Sequence, residues 1–173
     1  TLLNSGGSSR HQGDALLLRH PANKALMSWR PVSPRLLSAR IQHRFGAATI
    51  VVTYTPTDQV DSQTKDDYYD SLCRTVASVP PHDDVIILGD LNATTGTDDT
   101  VYPGVVGKFG SGSINDNSLR MLTFCATYGL SAMGLWFRRK NIFRHTWLSN
   151  DGHTKKEINH ILTSRWSIFK SYH

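Results

Sequence analysis

Cysteine is scarce in this chain of 173 residues: Cys73 and Cys125 are the only two, far apart and outside any paired motif. That excludes a disulfide scaffold or a cysteine-built zinc site and makes a reducing compartment the expectation. Long apolar runs are also missing. The longest candidate, Ile50–Tyr54 with its flanking alanines, is strand-sized, far short of the ~18 residues that cross a bilayer. The N-terminus has neither a start Met nor the basic-then-apolar profile of a signal peptide, so a nuclear or cytoplasmic, non-membrane protein is expected. No glutamate precedes Glu157. Disorder is excluded too, because 39% of residues are hydrophobic and 19% charged, ordinary values for a chain with a real core.

What is present is basic. The net charge is +5, and from Gly134 to the end there are eight basic residues against two acidic ones, Asp151 and Glu157. The stretch Asp58–Asp70 runs the other way, with five aspartates and one lysine. Such a surface either attracts a polyanion by counterion release or is a solvated face.

Strands and helices alternate without repeats. Gly13–Leu18, Leu36–Gln42 and Ala47–Tyr54 read as strands, the last through β-branched Ile50, Val51 and Val52. Tyr68, Tyr69, Leu72, Val76 and Val79 recur at helical spacing, so Ser62–Val79 is expected to be a helix capped by Ser62 and stopped by Pro80-Pro81. Asp84–Leu88 is a short, continuously apolar strand. Asn117–Tyr128 is a second helix closed by Gly129, and Leu130–Trp136, His145–Ser149 and Glu157–Leu162 read as strands. Asn150-Asp151-Gly152 supplies a hairpin turn between the last two. The pattern predicts an α/β or α+β sandwich in a single domain over residues 1–173.

Chemistry gathers where strands end. In Val85-Ile-Ile-Leu-Gly89-Asp90-Leu-Asn92-Ala93, Gly89 lets the backbone turn. Asp90 and Asn92 stand two apart in extended chain and therefore project together. A carboxylate there can accept a proton from water or hold a hard cation; an amide can donate to a phosphoryl oxygen. An Asx-rich turn is the structural alternative. Tyr54 closes another strand in Tyr-Thr-Pro-Thr, where it could bond a phosphate or serve as an edge aromatic. Asn115-Asp-Asn117 opens a helix, with Asn117 a candidate N-cap. Thr146-Trp147 and Glu157-Ile-Asn159-His160 follow.

In this order these segments resemble the endonuclease/exonuclease/phosphatase family. The likeness is nearest to the apurinic-type endonuclease domains of non-LTR retrotransposons and the craniofacial development protein 2-like sequences related to them. The resemblance implies a four-layered α/β sandwich, two mixed sheets face to face with helices outside, incomplete here at both ends. It implies Mg²⁺ or Mn²⁺ as cofactor, DNA or another phosphodiester as partner, and a monomer. By resemblance Asp90 activates water and binds the metal, Asn92 and Tyr54 hold the scissile phosphate, and Asn115, Asn117, Thr146 and Trp147 face the nucleic acid. Asn159 stands where the family carries an aspartate that orients the catalytic histidine. His160, its neighbour, is read as structural or solvent-facing, and His173 is not nominated. The family's metal-binding glutamate has no counterpart before Glu157, and Asp14 reads as a poor substitute. The expectation is a weakly held metal and an impaired nuclease, with a non-catalytic nucleic-acid-binding relic and a small-phosphoester hydrolase as alternatives.

Overall fold

A computed structural model describes residues 1–6 and 13–164; His173 lies outside the described residues. The chain opens with β1 (Leu2–Asn4), β2 (Ala15–Leu17) and the short α1 (His20–Lys24), then β3 (Leu26–Ser33), β4 (Leu36–His43) and β5 (Gly46–Tyr54). Helix α2 (Ser62–Ala77) crosses to β6 (Asp84–Asp90), and α3 (Asp116–Tyr128) leads to β7 (Ser131–Ala132). Two 3₁₀ turns, Met133–Trp136 and Asn141–Phe143, precede β8 (Trp147–Leu148), β9 (Lys155–Lys156) and β10 (Asn159–Thr163).

One sheet of six strands, ordered β3-β4-β5-β6-β10-β7, organises the fold. Among the described strands only β5 and β6 pair in parallel, as a pair joined by a helical crossover can. The alternation of β5 explains its two faces. Val51 turns towards α2 and α3 and packs with Ile87, Leu162, Tyr68, Leu72, Met121 and Leu122. Val52 turns the other way and packs with Leu3, Leu18, Leu37 and Ala39 beneath the β1–β2 pair. Each fully buried aliphatic or aromatic side chain of this kind contributes about 1.5–3 kcal/mol over an exposed one. The α/β sandwich holds. Among the described residues the layer facing the second side of the sheet is the β1–β2 pair.

Several boundaries differ from the sequence expectation, each for a local reason. Asp61 caps α2 instead of Ser62, its carboxylate accepting the Thr64 N–H at 2.9 Å. Asn115 caps α3 in a reciprocal capping box with Ser118, leaving Asn117 inside the helix. The apolar run Leu130–Trp136 pairs only through Ser131 and Ala132 and then coils into a 3₁₀ turn. Strand β3 carries no apolar alternation because it is an exposed edge, where Pro31 is tolerated. The Asn150-Asp-Gly152 turn joins β8 to the short β9 and not to the strand expected over Glu157–Leu162, which as β10 pairs with β6 and β7; the Gly152 N–H donates to Ser149 O at 2.9 Å.

Candidate functional site

The topology sets three of the expected residues in one row. Parallel β5 and β6 end at the same edge of the sheet, and antiparallel β10 begins there. In register, Tyr54 lies beside Asp90 and Asp90 beside Asn159. All three belong to the sheet face opposite α2 and α3. Loop ends at the carboxyl edge of parallel strands are where such folds place ligands.

Gly89 has a reason that the sequence does not show. It lies inside β6, paired with Thr53, at φ +150°. A Cβ there would sit 1.8 Å from the Thr53 carbonyl oxygen. The glycine thus permits close approach of two central strands, and the turn comes after Asp90.

That turn is made by Asn92, which departs from the extended geometry expected for it. Its φ is +46°, in the left-handed region that asparagine tolerates better than most residues. Its backbone N–H donates to Asp90 Oδ1 at 2.9 Å, and its Nδ2 donates to Thr55 O at 2.8 Å. The carboxamide therefore turns onto the Tyr-Thr-Pro segment instead of standing beside Asp90. The Asn92 carbonyl in turn accepts from Asn115 Nδ2 at 3.2 Å and Asn117 Nδ2 at 3.4 Å. Asn117 is fully buried and also donates to Pro56 O at 2.9 Å. The three motifs are thus joined into one frame. Beneath it, Tyr68 links the hydroxyls of Thr53 and Thr55.

Thr146 and Trp147 stand farther along the same edge. Thr146 Oγ1 accepts the N–H groups of Ile158 and Asn159 at 3.0 and 3.1 Å, which fixes the entry to β10. Trp147 is partly exposed, with Lys156 Nζ 5.9 Å from its ring centroid. His160 is buried, its Nε2 2.8 Å from Ala93 O. Burial lowers its pKa, opposed by that contact and by Glu157 and Asp90. It is a core histidine.

Asp14 is the residue that sequence reading set aside and the fold brings in. Ser5 anchors it: Asp14 N–H donates to Ser5 Oγ at 2.7 Å and Asp14 O accepts Ser5 N–H at 2.8 Å. This anchor holds the segment before β2 against the site edge, within electrostatic reach of Arg35, Tyr54 and Asp90. Arg35 lies over Tyr54, its Cζ 5.1 Å from the ring centroid. Asp14 Oδ2 is buried and has no hydrogen-bond partner among the described residues. The one signal in the sequence was an aspartate heading an otherwise apolar strand.

Both carboxyls are held protonated more readily than usual. Desolvation by burial raises Asp14 from 3.8 to about 6, against the lowering effect of Arg35 and the Tyr54 N–H. Desolvation also raises Asp90, opposed by the Asn92 N–H and His160. For Asp14 the folded pKa exceeds the unfolded one, so stability is highest below about pH 4 and falls as pH rises through about 6. Asp14→Asn should therefore unfold roughly 2–4 °C higher than the parent near pH 7, about 1 kcal/mol after allowance for solvent screening, with no gain near pH 4. Thermal melts at the two pH values check this, and an equal gain at both would contradict it.

A hard cation such as Mg²⁺ is held by one or two carboxylates, with other positions taken by water and substrate phosphate. Asp90 and the unpartnered oxygen of Asp14 fit that sparse donor set. Among the described residues no group of three or more His, Cys, Asp or Glu side chains forms a fuller cage.

No family model matches the chain. The craniofacial development protein 2 of Bos taurus and that of Tragulus javanicus are each 28% identical to it over 160 residues, 92% of this chain. The chain spans 27% and 28% of the length of these curated relatives. Among solved structures, the endonuclease domain of TRAS1, a telomere-specific non-LTR retrotransposon, matches with a TM-score of 0.67 at 12% identity, over 95% of this chain and 67% of that one. The chain has the endonuclease/exonuclease/phosphatase fold. A second structure with this fold, the 3′ phosphatase NExo from Neisseria bound to product DNA hairpin, matches with a TM-score of 0.51 at 16% identity, over 76% of this chain and 52% of that one. No helix among the described residues is long and apolar enough to cross a membrane.

Proposed function

We propose that this chain is a phosphodiesterase domain that acts on DNA with Mg²⁺ or Mn²⁺, and that Asn159 makes it slow. The observation that carries this reading is the row Tyr54–Asp90–Asn159 across three paired strands, with Asp14 and Arg35 beside it. Asp90, in the row beside Tyr54 and Asn159, takes a proton from an attacking water. The Tyr54 hydroxyl can donate to a phosphate oxygen, and the neighbouring Arg35 guanidinium offsets the phosphate charge. Asn92 and Asn117 set the frame on which Asp90 rests; Asn115 and Trp147 edge the surface along which a strand would lie. A bound cation, held by Asp90 and Asp14, supplies charge neutralisation at the phosphoryl oxygens.

Asn159 limits the chemistry. An aspartate there would accept from an imidazole and stabilise its charged form; an amide does only the first and can favour the wrong tautomer. The same substitution favours a second reading, nucleic-acid binding without turnover.

The test is nicking of supercoiled plasmid in Mg²⁺ or in EDTA, with Asp90→Ala alongside. Nicking that needs the metal and drops by about 100-fold or more in Asp90→Ala supports the enzyme. A folded chain that binds DNA but nicks in neither condition supports binding alone. Metal-dependent nicking that survives Asp90→Ala unchanged overturns the assignment of Asp90.

A further inference from the structure

Arg138, Arg139 and Lys140 follow the 3₁₀ turn Met133–Trp136, and all three are exposed. With Arg144 they rim a cavity of about 720 Å³ whose remaining lining is Phe109 and Ile142. The next one-turn element, Asn141–Phe143, presents Ile142 and Phe143 at 75% and 67% exposure. Four cations thus surround Phe109 and the exposed Ile142, with Phe143 left in solvent beside them, an unusual surface for a folded chain. Arg144 donates to Phe109 O and to Glu157 Oε2, the latter at 3.1 Å, so one cation is fixed by a carboxylate and three point outward. Glu157 stands two residues before Asn159, the cross-strand partner of Asp90, a span of at most about 7 Å of chain. The cavity is thus linked to the catalytic row through the Arg144–Glu157 pair without being part of it.

We infer that this cavity takes a nucleotide of an unpaired nucleic-acid strand, its phosphate on the cationic rim and its base against Phe109 and Ile142. The choice of a polynucleotide rests on the function proposed above; the chemistry of the cavity chooses the unpaired form. A duplex keeps its bases stacked inward and offers the rim only phosphates, which leaves the apolar floor without a partner. An unpaired base has a flat apolar face for it. A small inorganic anion would satisfy the cations and likewise leave Phe109 and Ile142 unused.

The experiment is fluorescence anisotropy with a labelled single-stranded oligonucleotide and its duplex, in EDTA so that no turnover intervenes, across a range of salt. The proteins are the full chain, the triple variant Arg138→Ala/Arg139→Ala/Lys140→Ala, and Ile142→Ser. Every substituted cavity residue is exposed, and matched thermal melts verify folding. The single strand should bind more tightly than the duplex. The triple variant should lose about tenfold or more of that affinity, with the slope of log K against log salt shallower by roughly 2, about 0.7 for each lost phosphate contact. Ile142→Ser should weaken the single strand by about fivefold and leave the salt slope unchanged, as loss of a stacking surface does. Binding is read in EDTA without turnover, so failure of the nicking test and failure of this one are distinguishable. Unchanged affinity in the triple variant overturns the site. Equal binding of duplex and single strand with no effect of Ile142→Ser overturns the unpaired-base reading, and preference for anionic lipid vesicles over either oligonucleotide overturns the choice of partner.

Discussion

Gly89→Ala should abolish folding. The added methyl carbon would lie 1.8 Å from the Thr53 carbonyl oxygen and 2.8 Å from its carbon, both backbone atoms. Neither can swing aside as a side chain would. Relief would require β5 and β6 to part, yet these are the two central strands of the sheet, each held on its other side by β4 or β10. Strand spacing in a hydrogen-bonded ladder is about 4.8 Å and cannot open locally without loss of the ladder. The φ of +150° adds strain for any side chain. The combined cost should exceed about 4–5 kcal/mol, a large part of a domain's whole stability. The expected result is a chain without a cooperative thermal transition, followed by circular dichroism. Gly152→Ala is the control: it also has positive φ, at +73°, but nothing lies within 4 Å of the added atom. It should cost only about 1–2 kcal/mol. A Gly89→Ala variant that melts like the parent would show that the strands do not approach as described.

This glycine also marks how far the sequence could be read. The apolar run before it, the turn residues after it and the helical spacing of Tyr68, Tyr69, Leu72 and Val76 are local signals, and each element stands where they point. The identity of Gly89 is local too, but its cause is Thr53, 36 positions earlier, and no spacing rule reaches that far. The same holds for Asn92. Read as extended chain, it projects with Asp90; in the fold it turns left-handed because Thr55, Asn115 and Asn117 hold it there. Asp14 is the plainest case. Its place beside the Asp90 row depends on a hydrogen bond to Ser5 and on β2 lying over the sheet, which tertiary packing alone decides. Strand β3 escaped notice for the opposite reason: as an exposed edge it needs no apolar face.

The candidate site follows the same division. The residue types at Tyr54 and Asp90 were legible because each ends an apolar strand, and Asn159 because it opens one; phosphoryl chemistry needs such groups at a mouth. Their alignment in one row was not, since it follows from the register of β5, β6 and β10. The segment from Arg138 to Arg144 read as a basic run. Only the fold shows that its cations share a cavity with Phe109.

Glu157→Ala should produce the second large loss, through Arg144. The two side chains are 10% and 16% exposed, and Arg144 Nη2 meets Glu157 Oε2 at 3.1 Å. Ser111 Oγ donates to the same carboxylate oxygen at 2.9 Å. Truncation would leave a largely buried guanidinium with the Phe109 carbonyl as its remaining acceptor, and the half-buried Ser111 hydroxyl without its carboxylate. Breaking a buried pair from one side typically costs about 3–5 kcal/mol, because the remaining charge is desolvated and uncompensated. Here about 3 kcal/mol is expected, roughly 6–12 °C in thermal midpoint. Glu157→Gln separates charge from shape: its amide oxygen can still accept from Arg144 and Ser111, so about 1 kcal/mol should be lost. Arg144→Met in the Glu157→Ala background should recover part of the stability by removing the stranded charge. Because Arg144 walls the basic cavity, Glu157→Gln should also free its charge and tighten single-stranded DNA in EDTA. The same variant would then be less stable and bind more strongly, a combination that a general loosening of the fold cannot give. If Glu157→Gln weakens binding in proportion to its loss of stability, Arg144 is a structural residue and contributes nothing to the cavity.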